Sequence, residues 1–507
     1  MPMPDSAAML AGDFATLPDL IAAHARERGD KLALVDGEQS LSYASLDAEM
    51  TRAAAALQQA GVRPHQPVAI LAANSVASAA AFLAILRAGA VPTPLAASAT
   101  PDQLAAMIAD CGAPIAFADE AGSAALTGAA ARIVRLGDPA WMGHGGTALT
   151  PIPIGPADPF NIIYSSGTTG TPKGIVQPHA MRWAHIARNA AAGFGDAVTM
   201  IATPLYSNTT LVSFLPTIAW GGTAVLMPRF DARAFCTLAE RYRATHAMLV
   251  PVQYQRIMAL PDFNAFDLTS FRLKTCTSAP FAASLKADIV ARCPGLLVEY
   301  YGMTEGGGTT MLVANAHPDK LHSVGQPIEG HDIRLIDDDG REVAQGDTGE
   351  VVGRSPAMMT GYHGRSDATA QAEWFDADGR RYIRHGDIGR FDEDGFLTLL
   401  DRKKDLIISG GFNLYPSDLE AILAGHPQVA DCTVIGVPSP LWGETPVGFY
   451  VARGQSDPAE ILAWFNARVG KTQRLSALEP IDELPRSAIG KVLKRELRDR
   501  WPERPAA

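Results

Sequence analysis

From Lys31 onward, short apolar runs alternate with stretches in which apolar positions recur every three or four residues. The run LALV at 32–35 is followed by Leu46, Met50, Ala53, Leu57 and Ala60, which share one helical face, and then by VAIL at 68–71. A strand-like run, a 3.6-residue period and a second strand-like run are the grammar of a strand–helix–strand unit. Breakers fall where the period changes: Gly61 closes the first helix, Asn74-Ser75 opens a helix predicted over 76–88, and Gly89 stops it. The alternation returns past residue 200, with TAVLM at 223–227, a helix predicted over 232–242, AMLVP at 247–251 and LLVEYYG at 296–302. Two doubly wound α/β units with mostly parallel sheets are therefore expected.

The texture changes near Ile333. DIRLIDDDG, GEVVGR and DEDGFLTLLDR read as short strands joined at Asp-Gly turns, an antiparallel β subdomain. Beyond Asp401 come RKKDLIISGG, a helix opening at Tyr415-Pro416-Ser417, a strand at CTVIGV and a helix over 459–468. The expected fold class is thus α/β: a large N-terminal domain over 1–401 and a small α+β domain over 402–507, a size ordinary for a domain.

Composition narrows the function classes. The 507 residues are 47% hydrophobic and 19% charged, which excludes wholesale disorder. With 43 basic against 54 acidic residues the net charge is −11, the wrong sign for a surface built to hold nucleic acid. Cys111, Cys236, Cys276, Cys293 and Cys432 are widely spaced, with no CxxC pair, which argues against zinc sites and disulfide frameworks and fits a reducing cytoplasm. The longest apolar run, 76–86, is too short to span a bilayer, and no export signal is visible.

Four segments carry candidate chemistry. Ser165, Ser166, Gly167, Thr168, Thr169 and Gly170, then Thr171-Pro172-Lys173-Gly174, follow the strand-like 160–163. Glycines let backbone N–H groups approach an anion, hydroxyls add donors and Lys173 adds charge, although the GxxxxGKS/T spacing of a Walker loop is absent. Tyr300-Tyr301-Gly302-Met303-Thr304-Glu305 follows a strand-like LLVE, where parallel sheets place ligands. A hydroxyl and a carboxylate there suit phosphate and Mg²⁺. Gly386-Asp387 and Asp401-Arg402-Lys403-Lys404-Asp405 with Ser409-Gly410-Gly411 form a third group, in which an acid is suited to ribose hydroxyls. Lys491, behind Gly490 in a polar loop, is suited to developing negative charge.

In this order and near these separations, the four segments resemble the adenylate-forming superfamily of acyl-CoA synthetases, luciferases and peptide-synthetase adenylation domains, over nearly the whole chain. The resemblance implies that Ser165 to Lys173 surround the ATP β- and γ-phosphates, Tyr301 flanks the adenine, Thr304 contacts the α-phosphate and Glu305 holds Mg²⁺. It makes Asp387 the ribose-binding aspartate, Arg402 its helper and Lys491 the catalytic lysine of acyl-AMP formation. It also implies a hinge near 402–404, about which a mobile small domain withdraws Lys491 and presents Ser409-Gly410-Gly411 to the pantetheine arm of coenzyme A. Trp442 and Arg474 would lie near the CoA nucleotide, although KTQRLSA departs from the family's lysine–proline–arginine pattern there.

The implied reaction joins a small carboxylic acid to CoA at the expense of ATP. By the same resemblance Tyr206, Ser207, Asn208, Tyr300 and Gly306 line the acyl pocket. Ser207 stands where many relatives have histidine and Tyr300 where coumarate ligases have glycine. The bulk of Tyr300 predicts a shortened pocket, with Gly306, Gly307 and Gly308 opening space on another side. The expected substrate is an aromatic acid of benzoate or cinnamate type, the alternatives being a short- or medium-chain fatty acid or transfer to a carrier protein. No aspartate stands in 206–214 to hold an α-amine, as an amino-acid-activating module requires. A monomer or homodimer without nucleic-acid or membrane partners is expected.

Overall fold

The computed structural model describes residues 4–37, 39–138, 141, 148–164, 173–409, 412–487 and 490–501. The chain groups into two compact units, residues 1–332 with 353–383, and residues 333–352 with 384–507.

The first unit holds two largely parallel sheets. One orders Val91–Pro94, Pro67–Leu71, Ile115–Ala118 and Arg132–Arg135, all parallel. The other has nine strands, in the order Gln326–Pro327, Thr310–Val313, Leu296–Tyr301, Leu273–Cys276, His246–Leu249, Val198–Ile201, Thr223–Leu226, Leu32–Val35 and Ser40–Ser42. It is parallel through its centre and antiparallel at both edges. The expected helices are present as Tyr43–Gln59, Val76–Arg87 and Ala232–Tyr242. Val76–Arg87 begins where Asn74-Ser75 predicts: Ser75 Oγ accepts from Ser78 N at 3.1 Å, and Ser78 Oγ accepts from Ser75 N at 2.9 Å, a reciprocal cap.

One expectation fails in this unit. LALV does not pair with the strand beyond its helix, Pro67–Leu71, but lies between Ser40–Ser42, antiparallel to it, and Thr223–Leu226, parallel to it, with Leu34 beside Ala224. Adjacency in sequence is only a tendency, and here buried polar groups fix the alternative. Tyr43, fully buried, donates its hydroxyl to Gly222 O at 2.7 Å, and Thr223 Oγ1 donates to Leu32 O at 2.6 Å. AMLVP is likewise divided: the strand ends at Leu249, and Pro251 starts the helix Pro251–Met258, where its missing N–H costs nothing.

In the second unit, Leu397–Arg402 runs antiparallel to the end of Arg381–Phe391, as the Asp-Gly turn at 394–395 predicts. Beyond it Phe412–Leu414, Ile407–Ser409, Gly443–Ala452 and Val429–Ser439 form an antiparallel sheet, with Ala477–Pro480 added in parallel. Its core is Leu419, Leu423, Val434, Tyr450, Ile461 and Phe465. Among the described residues no helix is long and apolar enough to cross a membrane.

Candidate functional site

Strand Pro159–Tyr164 and strand Gly174–Pro178 are antiparallel, Tyr164 opposite Gly174, and they bracket the glycine-rich segment. Ser165, Ser166, Gly167, Thr168, Thr169 and Gly170 lie outside the described residues. The hairpin is anchored at its rim: Tyr164 donates its hydroxyl to Asp110 Oδ2 at 2.7 Å and to Met107 O at 3.1 Å. Lys173 places its ammonium 5.1 Å from the ring centre of Tyr362, on the third strand of the same small sheet.

Tyr362 also donates its hydroxyl to Glu305 Oε1 at 2.9 Å, and burial with the nearby carboxylate pushes that hydroxyl's pKa up. Lys173 and Glu305 are therefore joined through one ring, a link with no signal in the sequence. Thr304 and Glu305 follow the sheet strand Leu296–Tyr301, as expected for a parallel sheet's ligand end. Gln177 Nε2 donates to Thr304 O at 2.6 Å and Met359 N donates to Glu305 O at 2.8 Å, so the turn is held on both sides.

Gly306 and Gly307, the first two glycines after Glu305, are packed closely in the direction a side chain would take. Gly306 has φ +81°, and a Cβ there would run into the carbonyl of Ala357; a Cβ at Gly307 would sit 2.6 Å from Ile383 Cβ. The space is filled by backbone and an apolar side chain, so these glycines permit close chain packing.

The stretch 203–209 is positioned by buried Asn74, which donates to Thr203 O at 2.8 Å and accepts from Leu205 N at 2.9 Å. Tyr206 is half-buried, its hydroxyl pKa pushed up by burial. Ser207 is buried, and its hydroxyl accepts from Thr209 N at 3.3 Å at the start of helix Asn208–Ala219. The serine thus caps a helix. Tyr300 lies with the Arg188 guanidinium 5.7 Å from its ring centre.

The second unit brings together two residues 15 positions apart. Asp387 stands opposite Arg402 in the antiparallel ladder, and Arg402 Nε lies 3.2 Å from Asp387 Oδ1. The neighbouring charges are also paired: Lys403 with Asp338 at 2.8 Å and Glu350 at 3.2 Å, and Asp405 with Arg498 at 2.9 Å. Lys491 is half-buried in a loop closed by the Arg486–Val492 bridge, its N–H on Ser487 Oγ at 3.2 Å and its carbonyl accepting from Ser487 N at 2.8 Å. Gly411 lies outside the described residues. Ser409, buried, pairs with Gly443, directly after Trp442. Trp442 is 37% exposed, and Lys471 lies 5.8 Å from its ring centre, a contact missed in the sequence. Arg474 is exposed, one residue beyond the turn that carries Lys471.

Residues 21–363 match the family model "AMP-binding enzyme" and residues 418–491 match "AMP-binding enzyme C-terminal domain". The chain belongs to the AMP-binding enzyme family. It is similar to feruloyl-CoA synthase from an Amycolatopsis species, 36% identical over 481 residues, covering 92% of this chain and 96% of that one. It is 30% identical to 4-coumarate–CoA ligase-like 9 of Oryza sativa subsp. japonica over 524 residues, 97% of this chain and 94% of that protein. Among solved structures, ATP-bound MatB from Rhodopseudomonas palustris superposes with a TM-score of 0.85 at 29% identity, covering 95% of this chain and 98% of that one. The first two segments fall within the first match, Lys491 is the last residue of the second, and the segment 386–411 lies between the two.

Proposed function

We propose that this protein is an AMP-forming acid–CoA ligase. A carboxylate oxygen of the acid attacks the α-phosphorus of ATP and pyrophosphate leaves; the CoA thiolate then attacks the acyl carbon of the acyl-AMP and AMP leaves. The observation that carries this is the match to both family models, and the presence of Thr304, Glu305, Asp387, Arg402 and Lys491 in the sequence supports it. Lys173 and the glycine-rich segment hold the phosphates, Tyr301 the adenine, and Asp387, steadied by Arg402, the ribose. Lys491 neutralises charge as pyrophosphate departs, electrostatic help that requires no protein nucleophile. Ser409, Gly411, Trp442 and Arg474 serve the CoA step, with residues 1–401 and 402–507 as functional domains and the hinge at 402–404.

Mg²⁺ fits at Glu305. Tyr362 occupies only Oε1, and no group of three metal-ligating side chains forms among the described residues. One carboxylate with phosphate oxygens and waters is how Mg²⁺ is usually held. When bound, the ion neutralises phosphate charge.

The substrate we infer is an aromatic acid of benzoate or cinnamate type, supported by the likeness to feruloyl-CoA synthase and the coumarate-ligase-like protein. A monomer or homodimer is proposed, in the cytoplasm, a reducing compartment that five free cysteines, four of them buried, support. A panel of aromatic and aliphatic acids, assayed with ATP and Mg²⁺ with and without CoA for pyrophosphate and thioester, tests this. CoA-dependent turnover favouring an aromatic acid supports it; acyl-AMP that accumulates untouched by CoA points to a carrier protein instead.

Tyr300 sets acid length in this reading. Tyr300→Gly is expected to shift the ratio of kcat/KM for longer over shorter acids by roughly tenfold, the worth of one or two methylenes in a pocket. An unchanged chain-length profile would remove Tyr300 from the pocket floor.

A further inference from the structure

Arg182 lies on the buried face of helix His179–Ala187 and is 1% exposed. Its Nε donates to Asn161 Oδ1 at 2.9 Å, Nη1 to Asn208 Oδ1 at 2.9 Å and Nη2 to Gln177 Oε1. No carboxylate among the described residues pairs with it. Burial lowers its pKa to about 9, which leaves it charged at neutral pH.

A guanidinium has donors only, so every amide that meets it must turn an oxygen toward it. That rule sets the polarity of the whole network. Asn161, its oxygen engaged, donates Nδ2 to Gln177 Oε1 at 2.8 Å. Gln177 in turn donates Nε2 to Thr304 O at 2.6 Å and to Asn208 Oδ1 at 3.4 Å. Asn208 Oδ1 therefore receives two donors from inside, and Nδ2 is turned the other way. Asn208 is half-buried, and among the described residues the hydrogen bonds of its side chain fall on Oδ1, from Arg182 and Gln177.

We infer that Arg182 is a positioning residue that holds Asn208 as a hydrogen-bond donor for the carboxyl group of the acid substrate, while the same network fixes the main chain at Thr304. The inference rests on the ligase reading, in which Thr304 meets the α-phosphate and the acid carboxylate must arrive beside it. Asn208 is one amide, Gln177, away from the Thr304 carbonyl, so its Nδ2 donor belongs to the reacting end of the acid. A buried positive charge behind the amide strengthens that donor by polarising the chain of hydrogen bonds. Lysine would supply a point charge but lacks the planar fork that reaches three oxygens at once.

Asn208→Asp separates this role from a structural one. Aspartate keeps an oxygen on Arg182 and so preserves the network, but it replaces the donor with a second oxygen facing a carboxylate. Acid-dependent pyrophosphate release is expected to lose about 10- to 100-fold in kcat/KM for the acid, the worth of one hydrogen bond to a charged group. KM for ATP should stay within about twofold and Tm should not fall. Asn208→Ala is expected to match it, and Arg182→Met/Asn208→Ala to lose no more than Arg182→Met alone. Retention of acid kcat/KM within about twofold in Asn208→Asp, or equal losses toward acid and ATP, would overturn the inference while leaving the ligase reading intact. A wild-type protein that releases no pyrophosphate with any acid of the panel would overturn both.

Discussion

In a Lys491→Ala variant, acid-dependent pyrophosphate release should fall by about 10²- to 10³-fold or more, the scale seen when one preorganised charge-stabilising group is removed. Thioester formation from supplied acyl-AMP and CoA should be largely retained, because the phosphoanhydride has already been broken and no charge then builds where the ammonium acts. The loop geometry supports a local effect: Ser487 binds both the N–H and the carbonyl of Lys491, and Arg486 is tied to Gly490 O at 2.8 Å and Asp431 at 2.7 Å, and none of these four bonds uses the Lys491 side chain. Equal loss in both half-reactions, measured by pyrophosphate release and by thioester mass, would remove Lys491 from the first step.

The second large effect concerns stability. Lys286 and Glu299 form an ion pair 1% and 4% exposed, and Lys286 also donates to Leu321 O at 2.7 Å and Ser323 O at 3.0 Å. Burial outweighs the lysine and raises the pKa of Glu299 to about 7. Lys286→Met should lower the unfolding free energy by about 3–5 kcal/mol, because one buried charge loses its partner, whereas Lys286→Met/Glu299→Leu should recover most of that loss. The sign of the pH dependence follows. Without its cation Glu299 is neutral when folded and ionised when unfolded above its ordinary value, so folding takes up a proton and stability falls as pH rises. The loss should therefore be larger at about pH 8 than at about pH 5. Urea denaturation at both pH values checks it; a single variant within about 1 kcal/mol of the parent would mean that the pair is solvated. Glu299 directly precedes Tyr300, so the pair anchors the strand that carries Tyr301 to the Thr304-Glu305 turn.

Much of the candidate site is legible in the sequence because its segments are local. Asp387 and Arg402 stand on two strands joined by a short Asp-Gly turn, which makes the hairpin legible, but it is a register shift between Ile388 and Gly389 that sets Asp387 opposite Arg402 rather than Asp401. Lys491 behind Gly490 and the turn after Leu296–Tyr301 are also single-segment features. What escaped the sequence spans segments: Tyr362 reaching both Lys173 and Glu305, Lys403 finding Asp338 and Glu350, and Arg182 drawing in Asn161, Gln177 and Asn208. The one available signal for Arg182 was its place on the apolar face of its helix with His179, Trp183 and Ile186.

The sequence alone determined the alternation of elements, their caps, the change of texture near Ile333 and the order of the chemical segments, since hydrophobic period, turn residues and motif spacing are properties of short stretches. Only the tertiary structure decided that LALV joins Thr223–Leu226, that Gly306 and Gly307 let the chain at Ala357 and Ile383 approach closely, and that Ser207 caps a helix while Asn208 turns its Oδ1 to Arg182. Those outcomes depend on which buried polar groups find partners far along the chain, a condition that is settled only when the segments are packed together.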